Sequence, residues 1–127
     1  MRLLLDTCAL LRIAVDSDQI SLAARAVIAA PESECFYSLA SLWEIAIKIG
    51  LRKLELPVTL KFFDELDRNP KRKMLGIQKE HLLRYATLHL HHRDPFDRLI
   101  VAQALSEDFS IVGNDTAFDA YGVRRLW

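Results

Sequence analysis

Four acidic residues, Asp6, Glu44, Asp97 and Asp115, stand in local settings that would bring their carboxylates to one edge of a fold. Asp6 directly follows the apolar run Leu3-Leu4-Leu5, and Asp115 follows Ser110-Ile111-Val112-Gly113 by way of Asn114. Glu44 falls in the second turn of a helix that follows Cys35-Phe36-Tyr37, and Asp97 in the first turn of another. In an open parallel sheet, ligands bind beyond the carboxyl ends of the strands. Grouped there, like-charged carboxylates repel by on the order of 4 kcal/mol per pair at ~4 Å and an effective dielectric of ~20. Lys48 and Arg98 are the nearby cations, too few to offset this and on helix faces that can point elsewhere. A divalent cation relieves the repulsion more completely, and all-oxygen ligation suits Mg²⁺ or Mn²⁺. Such ions acidify a bound water, orient a phosphodiester and stabilise the leaving oxygen, so the chemistry implied is metal-dependent phosphodiester hydrolysis.

The elements that must position these acids have legible boundaries. In His92–Ala104, Asp94 suits an N-cap and Pro95 the first helical position. Asp97 then falls third, as in a capping box. Leu99 to Ala102 are apolar, so this helix is expected to be buried. Leu3–Leu5 reads as a strand buried on both faces, followed by a short helix over Cys8–Val15. Ser21 caps a helix over Leu22–Ala30, and Pro31 stops it. Cys35–Tyr37 is a second strand, and Ser38 caps a helix from Leu39 to Ile49 that Gly50 ends. On that helix Ser41, Glu44 and Lys48 form one polar stripe, facing solvent as a surface ion pair or facing a polar pocket.

Beyond it, Leu51–Pro57 reads as a connector and Leu60–Leu66 as an amphipathic helix closed by Asn69-Pro70. Lys71-Arg72-Lys73 reads as a basic loop, Met74–Ile77 as a short strand, and Glu80–Leu90 as a helix. His89, His91 and His92 read as a surface loop, because no acid or cysteine keeps a metal-ligand spacing with them. Phe118–Gly122 turns the chain into an edge strand over Val123–Leu126. Strands and helices alternate, which predicts a three-layer α/β/α fold with a central, mostly parallel sheet.

The bulk properties set limits. At 127 residues the chain is expected to form one domain, 1–127, with core enough to need no staples. Seventeen basic and seventeen acidic residues cancel, which argues against bulk attraction to nucleic acid but not against a local basic strip. Cys8 and Cys35 have no metal-ligand spacing and are too few for a disulfide framework, pointing to a reducing, cytoplasmic setting. The N-terminus does not read as a signal peptide, and no apolar run reaches the ~20 residues of a membrane span.

Leu4-Leu5-Asp6-Thr7, Ser41-Leu42-Trp43-Glu44-Ile45-Ala46, Asp94-Pro95-Phe96-Asp97-Arg98-Leu99-Ile100-Val101-Ala102-Gln103-Ala104 and Asn114-Asp115 with Phe118 together resemble PIN-domain ribonucleases. Among them the chain is most similar to the VapC-type toxins of bacterial toxin–antitoxin pairs, over its whole length. The resemblance implies that Asp6 and Asp97 are metal ligands, that Glu44 and Asp115 complete the site directly or through water, and that the Thr7 hydroxyl supports it. It also implies endonucleolytic cleavage of RNA with Mg²⁺ or Mn²⁺, inhibition by a cognate antitoxin protein, and homodimers. Two departures stand out. Gly113 occupies a place that often carries Thr or Ser, which reads as a lost hydroxyl near the metal; Cys8 stands where His is common. A haloacid-dehalogenase-like phosphatase would need an Asp where Cys8 stands, and a phosphoacceptor receiver domain would need an N-terminal acidic pair and a late Lys that are missing. The remaining rival is a PIN-like RNA-binding or assembly module with weak or no catalysis. Against it stands the cost of keeping clustered charge idle.

Overall fold

The computed structural model describes residues 1–55 and 59–127. The elements are β1 (Arg2–Leu5), α1 (Thr7–Ala14), α2 (Leu22–Ala29), β2 (Glu34–Ser38), α3 (Leu39–Gly50), α4 (Thr59–Arg68), β3 (Arg72–Leu75), α5 (Lys79–Thr87), α6 (Pro95–Glu107), β4 (Ser110–Val112), a 3-10 helix (Thr116–Tyr121) and β5 (Arg125–Leu126). The strands form one sheet in the order β3-β2-β1-β4-β5 with every pairing parallel.

The period of the central strand builds two cores. Leu3 and Leu5 face one way and pack with Leu10, Ala24, Ile45, Phe62 and Val112, beneath α1 to α4. Leu4 faces the other way and packs with Ile100, Val101, Ala104 and Ile111, beneath α6. Helices therefore cover both faces, giving the expected three-layer α/β/α fold. Every residue of α6 from Arg98 to Ala104 is buried. Between the layers, Gln103 accepts from the Ser38 hydroxyl at 2.5 Å and donates to the Gly76 carbonyl at 3.1 Å, so its fully buried amide is satisfied on both sides.

Several expectations need correction. The basic run is not a loop: Arg72 and Lys73 begin β3, paired with Cys35 and Phe36 of β2, and the strand ends at Leu75 rather than Ile77. An edge strand lacks the apolar signature of a central one, and its charges deter further pairing. Here Lys73 pairs with Glu34 at 3.2 Å. The helix expected through Leu90 stops at Thr87, because Arg98 draws the carbonyls of Leu88 and His89 to its guanidinium, at 3.5 and 2.9 Å. The turn over Phe118–Gly122 is the end of a 3-10 helix, and the last strand is shorter than expected. The connector expected over Leu51–Pro57 falls partly outside the described residues. Among the described residues no helix is long and apolar enough to cross a membrane.

Candidate active site

β1 lies between β2 and β4, where the strand order reverses, and the crevice beyond its carboxyl end is where such sheets bind ligands. Asp6 sits there as the N-cap of α1. Its Oδ1 accepts from the Ala9 N–H at 2.6 Å, and its own N–H donates to the Val112 carbonyl at 3.0 Å. The acid is thus clamped between α1 and β4. Burial raises its pKa to about 6; the Ala9 bond and Arg12 pull it down, while Asp115 and Glu44 add to the rise.

Glu44 projects from α3, whose polar stripe is buried at Ser41 and Glu44 and reaches solvent at Lys48. Ser41 is fully buried and accepts from the Thr7 hydroxyl at 3.0 Å, tying α1 to α3. Glu44 is only 6% exposed. Its Oε2 meets Lys48 Nζ at 3.0 Å, so the expected ion pair forms, but with its acid end buried. Its Oε1 is buried with no hydrogen-bond partner among the described residues. The bond to Glu44 raises the pKa of Lys48, which keeps about half its side chain in solvent.

Asp97 and Asp94 divide their work. Asp94 Oδ1 accepts from the N–H groups of Phe96 and Asp97, at 2.9 and 3.0 Å, and so caps α6 alone. No hydrogen bond ties up the Asp97 carboxylate among the described residues; the His92 ring lies beside it, with Nε2 3.7 Å from Oδ2. Burial raises the pKa of Asp97 to about 7, with further contributions from Asp94, Glu44, Asp6 and Asp115. The route that brings Asp97 here is not a preceding strand. α5 and α6 run antiparallel, His81 at the start of α5 bonding Glu107 at the end of α6, so that α6 begins again at the strands' carboxyl edge.

Asp115 is exposed and caps the 3-10 helix through the Ala117 N–H at 2.9 Å. It stands on the rim, while Asp6 and Glu44 form the floor. A cleft of about 440 Å³ is lined by Asp6, Thr7, Glu44, Lys48, Asp97 and Asp115, with Cys8, Asp94 and Asn114 at its margin. As placed, no three Asp, Glu, His or Cys side chains among the described residues stand close enough to grip an ion together. The donor chemistry nonetheless fits a hard divalent cation. The donors are all oxygens, Glu44 Oε1 is buried and unpartnered, and the Asp97 carboxylate is uncommitted.

Gly113 is not simply a lost hydroxyl. A Cβ at this position would lie 2.7 Å from Asp6 Cγ, so the glycine makes room for the Asp6 carboxyl. The histidine loop is also more than surface. His89 and His91 are exposed, but His92 turns inward against Tyr121. The only sequence signal for that was its nearness to the Asp94 cap.

The raised acids have a consequence for stability. Both folded pKa values, about 6 and about 7, exceed the ordinary 3.8, so the folded protein binds these protons more tightly than the unfolded chain. Their contribution is therefore favourable below about pH 4, falls as pH rises to about 7, and levels off above that. Urea denaturation in EDTA between pH 4.5 and 8 should show this decline, and Mn²⁺ should reverse it at the alkaline end. Metal-free stability that instead stays flat through the window would mean that the acids are well solvated.

Residues 3–123 match the family model for the PIN domain. No curated protein matches the sequence. Among solved structures, a VapBC complex of Rickettsia felis bound to a DNA fragment from its promoter aligns with a TM-score of 0.72 at 15% identity, covering 99% of this chain and 98% of that one. A toxin–antitoxin complex from Klebsiella pneumoniae aligns at 0.67 and 17% identity, covering 98% and 95%. A VapBC-family toxin–antitoxin structure from Mycobacterium tuberculosis aligns at 0.65 and 17%, covering 98% and 97%.

Proposed function

Because this chain belongs to the PIN-domain family, a family of nucleases, we propose that it is a metal-dependent endoribonuclease and the toxin of a toxin–antitoxin pair. The observation that carries the reading is the cleft itself, where Asp6, Glu44, Asp97 and Asp115 converge although only Asp6 and Asp115 serve as caps. Asp6 and Asp97 would hold a Mg²⁺ or Mn²⁺ ion, and Glu44 and Asp115 would complete the shell directly or through water. The chemistry such an ion supplies is charge at a phosphodiester and acidity at a water. Thr7, through Ser41, keeps α1 and α3 in register so that Asp6 and Glu44 face each other. Lys48 neutralises one oxygen of Glu44 and offers an ammonium at the rim, where the RNA backbone would pass. With no net charge to attract RNA, this local cation carries more of the binding.

A protein partner is part of the proposal. Leu39, Trp43, Ile47 and Leu51 recur every four residues along α3 and are all exposed, an apolar stripe that an antitoxin or a second copy would cover. The toxin–antitoxin complexes with the same fold support the antitoxin, and a homodimer is the second partner proposed.

The test is cleavage of a mixed RNA pool, including tRNA, with Mg²⁺ or Mn²⁺, using EDTA and Asp6→Asn as controls. Discrete fragments that vanish in both controls are expected. Intact RNA with folded, antitoxin-free protein would favour a binding or assembly module. Asp94→Asn should stay within about threefold of the wild-type rate, since Asn caps a helix as well as Asp. A folded but inactive Asp94→Asn protein would reverse the roles given to Asp94 and Asp97.

A further inference from the structure

The loop between α5 and α6 holds a buried nitrogen for which the reading above has no use. His92 packs beside Tyr121, with ring centroids 5.4 Å apart, and edge-on to Phe118 at 6.3 Å. Its Nδ1 lies 2.7 Å from the Tyr121 hydroxyl. Its Nε2 is buried, has no hydrogen-bond partner among the described residues, and lies 3.7 Å from Asp97 Oδ2.

Counting donors locates the ring proton. A tyrosine hydroxyl has one hydrogen to give and two lone pairs to fill. The His92 backbone N–H donates to the Tyr121 oxygen at 3.3 Å, and Arg98 Nη1 donates to it at 3.2 Å. Arg98 is itself fixed by the His89 carbonyl at 2.9 Å. With both lone pairs used, the hydroxyl hydrogen goes to Nδ1, which must then be the bare nitrogen. The neutral ring carries its proton on Nε2, the atom that faces Asp97. At 3.7 Å the two atoms face each other beyond hydrogen-bond distance, so the contact the proposal needs requires the carboxylate to approach Nε2.

We propose that His92 is a positioning residue for Asp97: Tyr121 and Arg98 fix its Nε2–H tautomer, and that N–H holds Asp97 Oδ2 so that the other oxygen is left to the cleft. Orientation matters here because nothing else bonds this carboxylate among the described residues, whereas Asp6 is held by Ala9 and Glu44 by Lys48. The inference rests on the reading of Asp97 as a ligand of the proposed cation. Partners that orient a ligating side chain in this way are worth about 10–100-fold in metal affinity.

Two measurements test it. Long-range ¹H–¹⁵N NMR of the imidazole in metal-free protein reads the tautomer. The wild type should show Nε2–H, Tyr121→Phe a mixture, and Asp97→Asn a shifted Nε2 resonance. Mn²⁺ affinity is then compared between His92→Gln, whose amide reaches about as far as Nε2, and His92→Asn, whose amide reaches about as far as Nδ1. We expect His92→Asn to lose about tenfold or more, and His92→Gln to stay within about threefold of wild type. An Nδ1–H tautomer in the wild type, or equal losses in the two variants, overturns the proposal. A wild type that binds no Mn²⁺ overturns the metal-centre reading alone. The Asp97→Asn shift then still decides whether His92 holds Asp97: a shift supports the positioning contact, and an unmoved resonance removes it.

Discussion

Asp97→Asn is expected to lower RNA cleavage by about a hundredfold to a thousandfold or more while making the metal-free protein more stable at pH 7.5. The two effects have one origin. The carboxylate lies half-buried near Asp94, Glu44, Asp6 and Asp115, and its pKa of about 7 means that near neutrality its charge is held against its surroundings. Asparagine keeps the shape and removes the charge. Because Asp94 alone caps α6, no backbone bond of the cap is lost. The favourable interaction of Asp97 with the helix dipole offsets part of the gain. With solvent screening, a net gain of about 1 kcal/mol remains, or a few degrees in melting temperature. Single-turnover cleavage of a defined RNA and thermal melts in EDTA measure both effects. Wild-type cleavage by the variant would reduce Asp97 to a structural acid. Loss of stability would show that its charge is welcome where it sits.

Gly113→Ser is the second large effect expected, and it runs against a simple reading of the sequence. Supplying the hydroxyl that Gly113 reads as lacking should harm this protein, cutting cleavage by about a hundredfold. The added Cβ would stand 2.7 Å from Asp6 Cγ. The Asp6 carboxyl has little freedom to yield, since Ala9 holds its Oδ1 and Val112 holds its backbone. Displacing it costs the N-cap of α1, about 0.5–2 kcal/mol, and moves a proposed ligand by an ångström or so. Gly113→Ala should behave alike, because the clash lies at Cβ and not at the hydroxyl. Cleavage rates and denaturant midpoints for both variants would check this. Full activity in Gly113→Ser would mean that Asp6 has room to move and that the glycine is only a missing hydroxyl.

These two positions mark how far the sequence could be read. The Asp94 cap, the Pro95 start, Ser21 and Ser38 as caps, and the β1 and β4 strands were legible because each depends on residues within about four of one another. Hydrogen bonds to the first turn of a helix, and alternation along a strand, are set by local residue types. The choice of Asp94 as the cap, leaving Asp97 available, was legible for the same reason. So was the meeting of Asp6, Glu44 and Asp115 at one edge, because a parallel sheet sends every strand end the same way; Asp97 joins them through the antiparallel turn from α5 into α6.

What the sequence left open depended on partners far away in the chain. Whether Ser41, Glu44 and Lys48 faced water or a pocket depended on distant packing: Ser41 is buried against Thr7, 34 residues away, Glu44 is buried in the cleft, and Lys48 stays half in solvent. The β3 edge looked like a basic loop because an edge strand is not required to be apolar, and only its pairing with β2 makes it a strand. Gly113 gained its meaning from Asp6, just past the end of the neighbouring strand, and His92 from Tyr121, 29 residues on. Local residue types by themselves thus determined the elements, their caps and the rim on which the acids collect. Tertiary packing decided which atoms are buried, which oxygens lack partners and where a Cβ has no room, because those depend on contacts that no short window of sequence contains.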